Sequence, residues 1–267
     1  MRRLSAAALV AFLAAAGPAA AQSDQSSADL AKQLANPVAS LISVPLQYNY
    51  NQGFGPQDGS QSYVNVQPVV PFTLNADWNV IVRTIVPVIY QDEVVPGTGS
   101  QFGLGNTTQS LFLSPKKPGP GGLVWGVGPA FLWPTATKDE LGPDKWGAGP
   151  TVVALRQQGP WTYGFLGNHI WSYAGDDDEA DVSSSFLQPF LNYTTRHATS
   201  FVLNTEATYD WKASQWSVPI NADVFQLVKV GGQRLQVGGG LRYWAESPEG
   251  QAQDWGARFV VTFLFPR

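Results

Sequence analysis

The chain has 267 residues, with 16 Lys and Arg against 20 Asp and Glu, a net charge of −4 and only 13% charged residues. That charge content is about half of what a globular domain carries. With 27 Gly, 20 Pro, 10 Trp, 9 Tyr, 14 Phe, one Met and no Cys, the composition excludes a coiled coil, a zinc module, a disulfide scaffold and a basic nucleic-acid binder, and argues against a mostly helical enzyme.

Residues 1–21 read as an export leader. Met1-Arg2-Arg3 precedes the apolar run Leu4 to Ala16, a Gly17-Pro18 break and the small-residue site Ala19-Ala20-Ala21, the pattern of a cleaved signal peptide. Cleavage after Ala21 would leave 14 basic against 20 acidic residues and a mature charge near −6, which disfavours nucleic acid as a partner. Beyond the leader no apolar run reaches the roughly 18 residues of a spanning helix. Residues 22–37 form an N-terminal segment. Within it Asp29 to Asn36 is amphipathic, with Leu30 and Leu34 four apart and Pro37 ending it. It reads equally as a two-turn helix, at the periplasmic mouth of a barrel or in its lumen, and as a plain tether.

Residues 38–267 alternate in twos. Ile42, Val44, Leu46, Tyr48 and Tyr50 oppose Ser43, Gln47, Asn49 and Asn51, and Val64, Val66, Val70 and Phe72 oppose Tyr63, Asn65 and Gln67. Trp78, Val80, Val82, Val86, Val88 and Tyr90 oppose Asn79, Arg83 and Gln91. Phe201, Leu203, Ala207, Tyr209 and Trp211 oppose Asn204, Glu206, Asp210 and Lys212; Leu235, Val237, Leu241 and Tyr243 oppose Arg234, Gln236, Arg242 and Glu246. The last strand sets Trp255, Ala257, Phe259, Val261, Phe263 and Phe265 against Asp254, Gly256, Arg258 and Thr262. This is strand patterning with one apolar face. Three stretches alternate poorly: 102–115, where Gln109 sits among apolar neighbours; 146–156, which lacks a clean polar face; and 182–196, where Phe186 and Phe190 share a face with Gln188 and Asn192. Bulges or a partly apolar lumen would account for them.

Turn signals cut the chain into about twelve strands, each long enough for the about 9–11 residues that a tilted strand needs to cross a bilayer. Long polar connections, Asp92 to Gln101, Lys138 to Lys145, Gly175 to Asp181 and Glu246 to Asp254, are interleaved with tight ones such as Leu74-Asn75-Ala76-Asp77 and Val230-Gly231-Gly232-Gln233. Two-sided loop asymmetry with an even strand count predicts an all-β fold, a transmembrane antiparallel up-and-down β-barrel. The rival is a soluble β-sandwich. It gives no reason for Trp and Tyr at both ends of the apolar rows, whereas a membrane barrel places such girdles at both headgroup levels.

Asp29-Leu30-Ala31-Lys32-Gln33-Leu34-Ala35-Asn36-Pro37-Val38-Ala39-Ser40 followed by Val44-Pro45-Leu46-Gln47 resembles the start of a family of proteobacterial outer-membrane proteins. Further matches are Ser110 to Lys116, Lys145 to Thr151, Asn168 to Ser172, Gln188 to Tyr193 and the ending Thr262 to Arg267. The family is labelled an outer-membrane transporter, a component of the meta-cleavage pathway of phenol degradation, or neuromedin-U-like. The resemblance implies the barrel and its membrane, and small aromatic or hydrophobic solutes. Asn106, where the family commonly has an acidic residue, and the run Asp176-Asp177-Asp178-Glu179 depart from it in or near loops.

Candidate chemistry is sparse. In Asn168-His169-Ile170-Trp171-Ser172 a strand points His169 and Ser172 to opposite faces, so the hydroxyl does not meet the imidazole. Asp176, Asp177, Asp178, Glu179 and Asp181 lack the spaced ligands and turn Gly of a calcium loop. His169 and His197 have no Cys to join them in a metal site, and the Gly-rich pieces lack a phosphate-loop context. No cofactor is expected. The informative charges are Arg83, Glu206, Asp223, Lys229, Arg234, Arg242 and Arg258, all opposite apolar rows and so expected to line the lumen. They read as a plug of paired charges or as a selective constriction. The expected activity is passive passage of small solutes through an outer-membrane channel among lipid and lipopolysaccharide. A lipid-directed barrel enzyme and a closed structural or adhesive barrel are the rivals.

Overall fold

The computed structural model describes residues 26–265; the expected leader, 1–21, the start of the N-terminal segment and the last two residues lie outside them. A short helix α1 (Ser27–Leu34) precedes fifteen strand segments. These are β1 (Ile42–Phe54), β2 (Gly59–Val66), β3 (Val69–Thr73), β4 (Trp78–Asp92), β5 (Ser100–Leu104), β6 (Thr107–Pro115), β7 (Leu123–Trp133) and β8 (Lys145–Gln158). Then follow β9 (Trp161–Gly175), β10 (Ser183–Thr194), β11 (Thr199–Thr205), β12 (Ala207–Asp210), β13 (Gln215–Val230), β14 (Gln233–Glu246) and β15 (Trp255–Phe265). Three pairs, β2 with β3, β5 with β6 and β11 with β12, are single staves interrupted once, so the wall is a closed antiparallel barrel of 12 strands. The third interruption has a local cause. Glu206 lies opposite Pro219, which has no N–H to give the ladder. Closure is made by β1 against β15, in register from Ile42↔Phe265 to Tyr50↔Ala257, and leaves no strand edge to satisfy in lipid.

The wall is apolar outside and polar inside. Phe72, Phe165, Leu203, Leu241 and Phe259 are more than 40% exposed, whereas Asn49, Asn221, Arg242, Arg258 and Thr262 are buried. Aromatic pairs mark both rims. At the end with the tight turns, Trp78 meets Trp125 at 5.9 Å and Trp161 meets Tyr193 at 4.8 Å. At the long-loop end, Trp133 meets Trp146 at 5.4 Å, Tyr209 meets Trp211 at 4.9 Å and Tyr243 meets Trp255 at 5.0 Å. An inverted wall with two girdles is what a bilayer selects. Among the described residues no helix is long and apolar enough to cross a membrane; the strands do the crossing.

The interior has two halves. Along β4 to β10 it is a dry cluster of Val38, Ile81, Phe112, Val153, Leu155 and Leu166, with Val69, Val124, Phe186 and Phe190 packed on it. The three poorly alternating stretches all supply residues to this cluster, so their inward faces are apolar because they pack rather than face water. The opposite half, β11 through β15 to β2, carries the buried Asp223, Arg242 and Arg258.

Candidate functional site

The N-terminal segment enters the barrel. Ser26 caps α1 by accepting from Asp29 N at 3.1 Å, and Asp29 in the first turn complements the helix dipole. The apolar face, Leu30 and Ala31, is fully buried against Leu41, Ala198, Leu227 and Leu264. Lys32 Nζ donates to Gly159 O at 2.7 Å, and Gln157 Nε2 donates to Lys32 O at 2.8 Å. Gly159 and Ala198 belong to tight turns, so the helix corks the short-turn mouth. Of the two sequence readings, helix and tether, the structure has the helix. The chain then dips Val38 into the apolar cluster and enters β1.

Midway along the lumen a belt of charge spans the polar half. Arg242 is the largest fully buried side chain. Its Nε donates to Asn221 Oδ1 at 2.8 Å, its Nη1 to Tyr63 Oη at 2.9 Å and its Nη2 to Glu206 Oε2. Arg258 donates to the same Glu206 oxygen at 2.7 Å and to Asn49 Oδ1 at 2.9 Å, and its Nη1 stands 3.9 Å from Asp223 Oδ2. Asn221 in turn donates to Asn204 at 2.9 Å. Six neighbouring staves contribute, and the interrupted backbone at Glu206 delivers the one carboxylate that both guanidiniums share. Asp223 Oδ1 is buried without a hydrogen-bond partner.

The belt divides the lumen. On the α1 side lies an inner chamber of about 250 Å³, lined by Arg83, Glu206, Asp223 and Arg258, by amides such as Gln67 and Gln188, and by the C-terminal residues of α1. On the long-loop side a vestibule of about 230 Å³ is lined by Asn51, Gln61, Tyr63, Asn65 and Trp244 among others. Polar side chains contribute to both linings, and the two compartments share no lining residue.

Of the charges singled out in the sequence, the structure brings Glu206, Asp223, Arg242 and Arg258 together and sets Arg83 beside them in the chamber, donating to Gln67 Oε1 at 3.1 Å. Lys229 and Arg234 face each other across β13 and β14 next to the tight turn, at the short-turn rim and away from the belt. Sequence reasoning missed the neutral members Asn49, Tyr63, Asn204 and Asn221. Each stood on a polar face, but nothing along the chain says which polar residues meet across the lumen.

His169 and Ser172 are indeed apart: Ser172 bonds Asp181 at the loop. His169 faces outward and meets a different serine, with its Nδ1 2.7 Å from Ser185 Oγ. Trp211 Nε1 donates to that same oxygen at 2.9 Å. His169 Nε2 has no hydrogen-bond partner. The imidazole is held by Ser185 and against the Trp171 ring, 4.0 Å away between centroids, within the long-loop girdle. The acidic run is spent on loop structure: Asp176 Oδ1 accepts from Asp178 N, Glu179 accepts from Asp144 N, and Asp181 pairs with Lys145 and Lys212. Hydrogen bonding from Lys212, then the charges of Lys212 and Lys145, hold the Asp181 carboxyl below its usual range.

An outer membrane channel from Pseudomonas putida F1 superposes with a TM-score of 0.65 over 85% of this chain and 96% of that one, at 13% identity. The two chains share one fold. Looser likenesses are to outer membrane phospholipase A from Escherichia coli, with a TM-score of 0.47 at 11% identity over 85% of this chain and 99% of that one, and to the beta domain of the Bordetella autotransporter Brka, with 0.45 at 12% over 85% and 100%. No protein-family model matches the chain. No curated protein matches it either.

Proposed function

We infer that the chain is an outer-membrane channel for small solutes, with the long loops outside the cell and the tight turns and α1 in the periplasm. The observation that carries this is a lumen lined by buried charges and amides. Two polar compartments are stacked along the barrel axis, separated by side chains rather than by backbone and corked by a short docked helix. A barrel serving only as an anchor gains nothing from burying arginines in its lumen, where each needs a partner. The likeness in fold to the Pseudomonas putida channel supports the same reading, as does the apolar outer wall. Passage is passive, and the chain acts as a conduit rather than a catalyst. Leu166 and Phe190, where the apolar cluster reaches the inner chamber, favour aromatic or otherwise apolar solutes.

Single-channel recording of the refolded mature chain tests the inference, with a heat-dependent gel shift confirming the folded barrel. Discrete steps that lengthen or enlarge when residues 26–36 are deleted are expected. A folded barrel that passes no current with or without α1 refutes it.

A further inference from the structure

The belt and the inner chamber beside it together hold an imbalance of charge. Three guanidiniums, of Arg83, Arg242 and Arg258, stand among two carboxylates, of Glu206 and Asp223. One cation is in excess, and the pairing says which. Arg242 and Arg258 share Glu206, and Arg258 also reaches Asp223, whereas Arg83 makes no ion pair among the described residues and donates to a neutral amide at 3.1 Å. A guanidinium offers five N–H donors in a planar fork that fits a carboxylate in two places. Arg83 has most of that fork left over, facing a cavity. The carboxylate whose charge reaches Arg83, that of Glu206, is already shared by two other guanidiniums, so a ligand that supplies a further anion lowers the cost of keeping this cation buried.

The remaining walls describe the rest of the ligand. Leu34, Leu166, Phe190, Val202, Phe225 and Val260 line the same chamber, so its far side offers apolar contact. At about 250 Å³ it falls just below the ~300–1,000 Å³ of sites for drug-sized molecules, which suits a body of one ring. We propose that the chamber is a binding site for a small carboxylate with an apolar, single-ring-sized body, its carboxylate seated on Arg83. This rests on the channel reading and names the class of solute that pauses there.

Calorimetric titration of the refolded full-length mature chain in detergent tests it, with benzoate as the probe, benzamide as its neutral counterpart and benzylammonium as the cation. Benzoate binds saturably, benzamide binds about tenfold more weakly or worse, as loss of a charge-assisted pair implies, and benzylammonium gives no heat. Arg83→Gln lowers benzoate to the level of benzamide. Arg83→Lys keeps the preference for benzoate with weaker affinity, which preserves the test if Arg83→Gln fails the gel-shift criterion for folding. Lys229→Gln, at the exposed rim, leaves benzoate binding as it was. The proposal is overturned if benzoate binds no tighter than benzamide, if Arg83→Gln binds it as the parent does, or if Lys229→Gln weakens it equally. Benzoate binding by a barrel that passes no current would sink the channel reading and leave this site standing; current without benzoate preference would do the reverse.

Discussion

Replacing Glu206 by Gln keeps the shape of the side chain and removes the one negative charge shared by two buried guanidiniums. Arg242 and Arg258 are 2% and 4% exposed at their side chains and Glu206 20%, so little water is at hand to replace the lost anion. The Gln carbonyl still accepts from both guanidiniums, so two ion-pair hydrogen bonds become cation-to-amide ones, a loss of about 1 kcal/mol apiece. The larger effect is the charge left behind, since removing one partner of a buried ion pair costs about 3–5 kcal/mol. The open chamber that Glu206 lines on one side of the belt moves the expectation to the lower end, about 3 kcal/mol. Urea unfolding of the barrel in lipid vesicles, followed by tryptophan fluorescence, reads this directly. Pairing Glu206→Gln with Arg242→Met recovers part of the loss, because the second change removes one of the stranded cations. A penalty under about 1 kcal/mol, the level of an exposed ion pair, would refute the belt as a buried network, and so would strict additivity in the double variant.

Leu30→Asp places a charge on the buried face of α1, undocking the helix without touching the wall. Conductance rises while the heat-dependent gel shift is unchanged, and unaltered conductance would show that α1 does not cork the mouth. A Cβ at Gly240 would stand 1.9 Å from the Ala222 carbonyl oxygen, so Gly240→Ala forces β13 from β14 and costs about 1–3 kcal/mol by overpacking; an unchanged urea midpoint would contradict the Asp223↔Gly240 register. Asp181 has its folded-state value depressed below the ordinary 3.8. Its contribution to loop order is therefore complete above that ordinary value and is lost as pH falls through the lower folded one. Amide exchange across 176–182 should quicken in that acid window, and Asp181→Asn should quicken it at neutral pH. Exchange indifferent to both would dismiss the Lys145–Asp181–Lys212 cluster as a loop clasp.

Legibility in the sequence followed the two halves of the lumen. Strands such as β1 and β15 alternate cleanly because lipid lies on one face and water or charge on the other, and that contrast is written in residue types at period two. Around Phe112, Val153, Leu155, Phe186 and Phe190 both faces are apolar, one against lipid and one against the packed interior, so no period separates them. Val38 completes that interior from the far end of the chain, and local patterning carries no sign of it. The members of the belt were visible one by one as charges on polar faces. Their assembly was not, because it depends on cross-strand register and on the break at Glu206 opposite Pro219. His169 shows the same limit. Spacing along its own strand separates it from Ser172, and only the pairing of β9 with β10 puts it opposite Ser185.

The pairing of β1 with β15 bears on how the molecule is made. These are the first and last strands, so the seam joins the most distant parts of the sequence, and such contacts form slowly because a long loop must close first. Until the seam zips, β1 and β15 both present open edges that invite pairing with other chains. α1 precedes β1 by only seven residues and packs on Leu264 of β15 as well as on Leu227 of β13. Its seat is therefore incomplete until the final strand is in place, and sealing the wall and seating the cork become a single late event. A nascent barrel arrested before β15 would be open along its side and uncorked at its mouth, exposed to aggregation and to leakage together.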